Sequence, residues 1–176
     1  MIDPELLFQK AQLQRGMRVA DFGTDRSGHL VFPAALILGE KGIMYAVDIL
    51  KTVLENIKKR ADLESLLNIH PLWSDLEKGK TAIPEKSLDV VFLVNTLSFC
   101  SSPDLVLQEA KRLIREKARI LIVDWKEKMN AAFGPKDDKF VDFQKLKSWA
   151  EREGFVVQEE FPVGKYHHGI VLFRHD

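Results

Sequence analysis

The chain has 176 residues, 45% hydrophobic and 30% charged, and its 26 lysines and arginines equal its 26 aspartates and glutamates. That length suits one domain with a sizeable core; zero net charge argues against a non-specific nucleic-acid binder, and no apolar run approaches the roughly 20 residues of a membrane span. Cys100 is the only cysteine and the opening Met-Ile-Asp-Pro-Glu has no signal-peptide character, so no internal disulfide and a cytoplasmic location are expected.

Residues 3–15 read as a first helix, with Asp3 as N-cap, Pro4 in the first helical position, apolar Leu6, Leu7, Ala11 and Leu13, and Gly16 as its end. This segment either packs on a sheet edge or gives a site a small lid. A strand follows at Arg18–Phe22, then a polar turn bracketed by Gly23 and Gly28. A helix-like run carries Leu30, Val31, Ala34, Ala35, Ile37 and Leu38, and Gly39 and Gly42 separate it from a strand, Ile43–Val47, that ends on Asp48. Parallel strands so joined require a crossover. A glycine-bracketed turn at a strand's C-terminal end lets a ligand approach bare backbone, and the next helix turns its N–H groups there. An acid closing the second strand can hydrogen-bond both hydroxyls of a ribose. The pattern predicts a site for an adenosine-containing cofactor.

The turn reads Gly23-Thr24-Asp25-Arg26-Ser27-Gly28, which fails the dinucleotide pattern G-x-G-x-x-G. A carboxylate beside a pyrophosphate is repelled, whereas beside the sulfonium or ammonium of S-adenosylmethionine it is tolerated. Electrostatics therefore favour S-adenosylmethionine over a nicotinamide dinucleotide, with Arg26 pulling the other way.

Next come a helix over 51–66 with a basic outer face and a short strand, Ile69–Trp73, ending at Ser74-Asp75. Residues 77–87 form a polar loop. Leu88–Val94 is continuously apolar, as for a strand buried on both faces, and Asn95-Thr96 terminate it. A loop at 98–102, a helix from Pro103 to Ile114 and a strand at Arg119–Trp125 follow, with Glu116-Lys117-Ala118 as a loose turn. Residues 130–138 read as a substrate-side loop and Phe143–Glu153 as a helix closed by Gly154. Strands at Phe155–Phe161 and His168–Arg174, joined through Pro162-Val163-Gly164-Lys165, form an antiparallel hairpin.

With these pieces in order, the chain resembles the class I S-adenosylmethionine-dependent methyltransferases, in the small ubiquinone/menaquinone-biosynthesis-like, type 11 group. The likeness covers nearly the whole chain. It rests on Val19-Ala20-Asp21-Phe22-Gly23, Tyr45-Ala46-Val47-Asp48, Ser74-Asp75 and Leu88-Asp89-Val90-Val91-Phe92. It continues through Ile122-Val123-Asp124-Trp125-Lys126, Phe133-Gly134-Pro135 and Gly164-Lys165-Tyr166-His167-His168-Gly169.

The resemblance implies an α/β fold: a single Rossmann-like methyltransferase domain, residues 1–16 its N-terminal helix and 17–176 its core. Its sheet would be mostly parallel and seven-stranded, with an antiparallel last strand and helices on both faces. S-adenosylmethionine would be the cofactor and a small molecule or protein the methyl acceptor. Asp21, Gly23, Thr24, Asp25 and Gly28 would surround the cofactor at the first bend, with Asp48 at its ribose and Ile49 beside Asp48 among the cofactor-binding residues. Ser74 and Asp75 would lie at the adenine, Asp75 reaching the amino group, and Asn95 and Thr96 beside the methionine. Asp75 alternatively caps the turn that follows it.

The family's first motif, D-x-G-x-G-x-G, is altered: Thr24-Asp25-Arg26-Ser27 occupies the middle with what looks like one extra residue, and the central glycine is absent. A positive φ there would be strained, though Asp tolerates it better than most. A bend filled by Asp25 or Arg26 would instead fit a methyltransferase-like scaffold that binds a partner protein.

Methyl transfer from a sulfonium asks a protein mainly for positioning, so no catalytic triad is expected. Ligands bind outside the carboxyl ends of parallel strands. There Asp124, Tyr166 and His167 are the candidates for acceptor contact or general base; Asp124 alternatively caps a strand end or pairs with a lysine. His167 and His168 alternate faces and cannot share a metal, and His29, His70 and His175 lack ligand spacing, so no metal site is expected. Cys100 reads as a small buried hydrophobe, which disfavours cysteine-based arsenite methylation.

Overall fold

Seven strands form the sheet: β1 (Arg18–Phe22), β2 (Ile43–Asp48), β3 (Ile69–Trp73), β4 (Leu88–Val94), β5 (Ile114–Trp125), β6 (Phe155–Val163) and β7 (His167–Arg174). Among the described residues five helices accompany them: α1 (Pro4–Lys10), α2 (Val31–Leu38), α3 (Lys51–Leu63), α4 (Pro103–Leu113) and α5 (Phe143–Arg152), with a 3₁₀ turn at Leu97–Phe99. The computed structural model describes residues 2–126, 135 and 139–176. The expected substrate-side loop at 130–138, and with it Phe133-Gly134, lies outside the described residues except for Pro135.

The strand order is β3-β2-β1-β4-β5-β7-β6. β1 pairs in parallel with β2 on one side and β4 on the other, so the order reverses at β1. That reversal opens a crevice at the strands' C-terminal ends, where ligands bind in such sheets. β7 runs antiparallel to both β5 and β6, as the hairpin reading required. The hairpin is tighter than expected: Pro162 and Val163 belong to β6, leaving Gly164-Lys165-Tyr166 as the connection. Pro162 is tolerated because β6 is an edge strand.

Buried side chains fall into two clusters that the strands separate by alternation. Val19, Val90 and Phe92 pack with Leu7 and Phe8 of α1 and with α2 and α3. Ala20, Val91 and Leu93 face α4 and α5, where Trp149 stacks on Phe155. β4 is buried along almost its whole length, which explains its unbroken apolar run.

Two helices stop earlier than their periodicity implies, for one reason. After α1, Gln12 takes φ +54° and the Leu13 N–H reaches the Phe8 carbonyl at 2.9 Å. After α3, Ser65 takes φ +56° and the Leu66 N–H reaches the Ala61 carbonyl at 2.9 Å. Both are six-to-one closures of the Schellman type, with a non-glycine residue in the left-handed position. Gly16 therefore does not end α1; its N–H bonds the Leu38 carbonyl on the way into β1. The expected turn at Glu116-Lys117-Ala118 is instead the irregular start of β5, with Lys117 at φ +56° and a register shift between Leu88 and Val90.

Candidate active site

The bend after β1 is shaped by its two glycines. Gly23 has φ +79°, and a Cβ there would lie 3.0 Å from Thr96 Oγ1, which itself donates to the Phe22 carbonyl at 2.7 Å. Gly28 has φ +62°, and a Cβ would stand 2.5 Å from the Phe32 ring and 2.7 Å from Ile57 Cδ1, so it seats α2 against α3. No residue between them has a positive φ. The absent central glycine thus leaves no backbone strain here. Asp25 instead folds onto its own loop, accepting from the Ser27 N–H at 2.6 Å and from the Ser27 hydroxyl, while Arg26 is exposed and lines neither cavity described below. The bend is not collapsed.

Two cavities flank it and share Gly23 and Asn95. The smaller, 280 Å³, is lined by Asp48, Ile49, Ser74, Asp75, Thr96, Phe99 and Cys100 among others. The larger, 640 Å³, is lined on the β1 side by Asp21, Asp25, Ser27, His29 and Leu30, and on the far side by Trp125, Val163, Lys165, Tyr166 and His167. Ile2 closes one end, its carbonyl held by His29 Nε2 at 2.6 Å, so the short N-terminal segment does reach the site.

Asp48 ends β2 half-buried. Its Oδ1 accepts from the Leu50 N–H at 2.7 Å, while Oδ2 takes no hydrogen bond from the described residues. Burial raises its pKa, with the Leu50 and Ile49 N–H groups pulling it back. Ser74 is buried and bonds Thr81 through its hydroxyl. Asp75 caps the next turn through the Glu77 N–H at 3.1 Å, and it also lines the smaller cavity. Asn95 is the one site residue outside glycine with a left-handed backbone, φ +54°, and its Oδ1 is buried without a partner. Backbone strain of this kind clusters at functional sites, and a buried acceptor without a partner is uncommon in folded proteins.

Asp21 is 4% exposed, and burial pushes its carboxyl up to about 7; the Thr24 hydroxyl opposes this, and the charges of Asp25 and Asp48 add to it. A cation beside it would favour the ionised form. Trp125 and His167 are register partners on β5 and β7, their rings 4.1 Å apart and tilted by 44°. Trp125 Nε1 and His167 Nε2 are both buried without partners. Burial lowers the His167 pKa below the usual histidine value, which leaves a neutral imidazole at neutral pH.

Most of the expected site residues come together here. Thr24 and Gly28 do not line either cavity; they build the bend from beneath. Asp124 is also kept away. It is 0% exposed, with Oδ2 accepting from the Leu97 and Ser98 N–H groups at 2.9 and 3.3 Å and Oδ1 from the Trp125 N–H at 2.8 Å. It caps the 3₁₀ turn and lines neither cavity. His168 points to the opposite face from His167 and pairs with Glu160 at 3.0 Å. Cys100 is half-buried, its thiol pushed to about 11 by burial and by nearby Glu77, Asp124 and Asp75. Sequence reasoning missed His29, Lys165 and Phe99 as lining residues; a basic residue at the tip of a hairpin over the strand ends was the available signal for Lys165.

The donor set fits S-adenosylmethionine: a carboxylate with a spare oxygen for ribose, bare backbone at Gly23, an orphaned acceptor at Asn95, and acidic groups where positive charge would lie. Comparison with known proteins agrees. A methyltransferase-domain family model matches residues 13–159. Aklanonic acid methyltransferase DauC of Streptomyces sp. (strain C5) is 34% identical over 91 residues, which is 52% of this chain and only 39% of that protein's length. A SAM-dependent methyltransferase from Aquifex aeolicus superposes with a TM-score of 0.84 at 28% identity, over 98% of this chain and 89% of that one. YcgJ of Bacillus subtilis, 14% identical, shares the fold with a TM-score of 0.75 over 98% of each chain. The chain belongs to the methyltransferase-domain family, and S-adenosylmethionine is the cofactor expected of it.

Proposed function

We propose that this chain transfers a methyl group from S-adenosylmethionine to an oxygen of a small-molecule acceptor. The observation that carries the reading is the meeting of two cavities at Gly23 and Asn95, one ending on the Asp48 carboxylate and the other walled by Trp125, Tyr166 and His167. In this reading Asp48 holds the ribose, Ile49 and Phe99 flank the adenine, and Ser74 and Asp75 border it. Asn95 Oδ1, Asp21 and Asp25 face the positive end of the cofactor, and Thr96, Thr24 and Gly28 keep the bend in shape.

When bound, S-adenosylmethionine supplies an activated methyl group on a positive sulfur. The protein's part is then to align an acceptor and to take its proton. His167, neutral and on the acceptor side, is the group for that second task, with Tyr166 beside it on the cavity wall. A relative named for methylating aklanonic acid supports a small molecule over a protein as acceptor. The open bend supports an enzyme over a partner-binding scaffold.

The test is transfer of label from methyl-labelled S-adenosylmethionine into a small-molecule extract. Label in an ether- or ester-linked methyl that is lost in His167→Gln supports the reading; label confined to protein, or none, overturns it.

A further inference from the structure

The larger cavity is electrically lopsided. Asp21 and Asp25 stand on the β1 side, where a positive sulfur has its place, and Lys165 stands on the far side at the hairpin tip. The neighbouring acids of β6 are already engaged: Glu159 by Lys10, and Glu160 by Lys147 and His168. Among the described residues no carboxylate pairs with Lys165, whose ammonium lies 5.1 Å from the Tyr166 ring centre. Lys165 therefore puts a positive charge on the far wall of the cavity, opposite Asp21 and Asp25.

Between the two poles lies an aromatic wall. The Trp125 and His167 rings meet at 4.1 Å, and each carries a buried ring nitrogen without a partner. An unmet buried donor or acceptor is costly, and an occupant bearing oxygen atoms would relieve it. Flat rings fit such a wall better than aliphatic chains, since edge and face contacts add to area burial. A cationic occupant would meet Lys165 unfavourably.

We propose that the acceptor is a flat aromatic acid, its ring against Trp125 and His167, its hydroxyl on the His167 side and its carboxylate at Lys165. This rests on the cavity being the methyl-acceptor site, and it adds the acceptor's chemical class. The cavity's two poles then sort its two occupants by charge: the cationic sulfur toward Asp21 and the anionic acceptor toward Lys165. An arrangement of this kind sets orientation more than affinity.

The test compares isosteric probes by calorimetry with S-adenosylhomocysteine present: 4-hydroxybenzoate against 4-hydroxybenzamide, on the wild-type chain and on Lys165→Met. Lys165 is exposed at a hairpin tip, so the variant retains the fold, and unchanged S-adenosylhomocysteine affinity checks this. The wild type is expected to bind the acid about fivefold more tightly than the amide, as an exposed ion pair allows, and Lys165→Met to bind the two alike. Equal binding to the wild type, a preference that survives in Lys165→Met, or no binding of either probe overturns the acceptor class while leaving the methyltransferase reading intact. Absence of S-adenosylhomocysteine binding would overturn both.

Discussion

Gly23 and Asn95 stand at the ends of the neighbouring parallel strands β1 and β4, both with left-handed backbones, φ +79° and +54°, and each lines both cavities. The two strand ends bend apart at the point where the sheet order reverses. Everything proposed for the cofactor depends on the gap that this divergence leaves.

Gly23→Ala tests that gap. The new Cβ meets Thr96 at 3.0 Å on a backbone that side chains rarely adopt. We expect a loss of about 1–3 kcal/mol in stability and at least a tenfold loss in S-adenosylmethionine affinity. Gly164→Ala is the control: its φ is +61° but nothing lies within 4 Å, so it should pay the strain without losing cofactor. Equal cofactor loss in both variants would contradict this assignment.

Asp48→Asn separates charge from shape. Its amide oxygen can still accept from the Leu50 N–H, so the melting temperature should barely move. Affinity for S-adenosylmethionine should fall about tenfold, because hydrogen bonds to a charged acceptor are roughly twice as strong as neutral ones. An unchanged titration would remove Asp48 from the ribose.

Asp21 makes the site sensitive to pH. Burial pushes its carboxyl well above the usual carboxylate range, to about 7. Its contribution to stability is thus fully present below about pH 4 and is lost as pH rises through about 7. Cofactor binding runs the other way, since a positive sulfur prefers the ionised carboxylate. Affinity should tighten by up to about tenfold between about pH 6 and pH 8. In Asp21→Asn both dependences should flatten; a slope that persists would place the titrating group elsewhere, Asp48 being the nearest alternative.

His167 and Asp124 should part company. His167→Gln should reduce turnover by about a hundredfold or more, the usual scale for a lost general base, with S-adenosylmethionine affinity unchanged. Asp124→Ala strips the acceptor from three backbone N–H groups and should cost about 3 kcal/mol or more in stability. Thermal denaturation and single-turnover kinetics distinguish the two; equal stability losses would assign His167 a structural role.

Much of this was legible in the chain because the signals are local. The glycines around Thr24–Ser27, the acid closing β2 and the unbroken apolar run of β4 each follow from backbone or burial demands on a few adjacent residues. The acceptor wall was harder. Trp125 and His167 are 42 positions apart and meet only through the antiparallel register of β5 and β7. Asp124 looked catalytic because it ends a strand, and nothing in the sequence shows that the 3₁₀ turn at Leu97–Phe99 folds over it. The helix ends at Gln12 and Ser65 were hidden because neither residue advertises a left-handed conformation.

The most direct measurement is a calorimetric titration of the chain with S-adenosylmethionine near neutral pH. One molecule should bind per chain, saturably and at micromolar concentrations, and more weakly in Asp48→Asn and Gly23→Ala. No heat at millimolar cofactor, from protein that unfolds cooperatively in the same buffer, would contradict it.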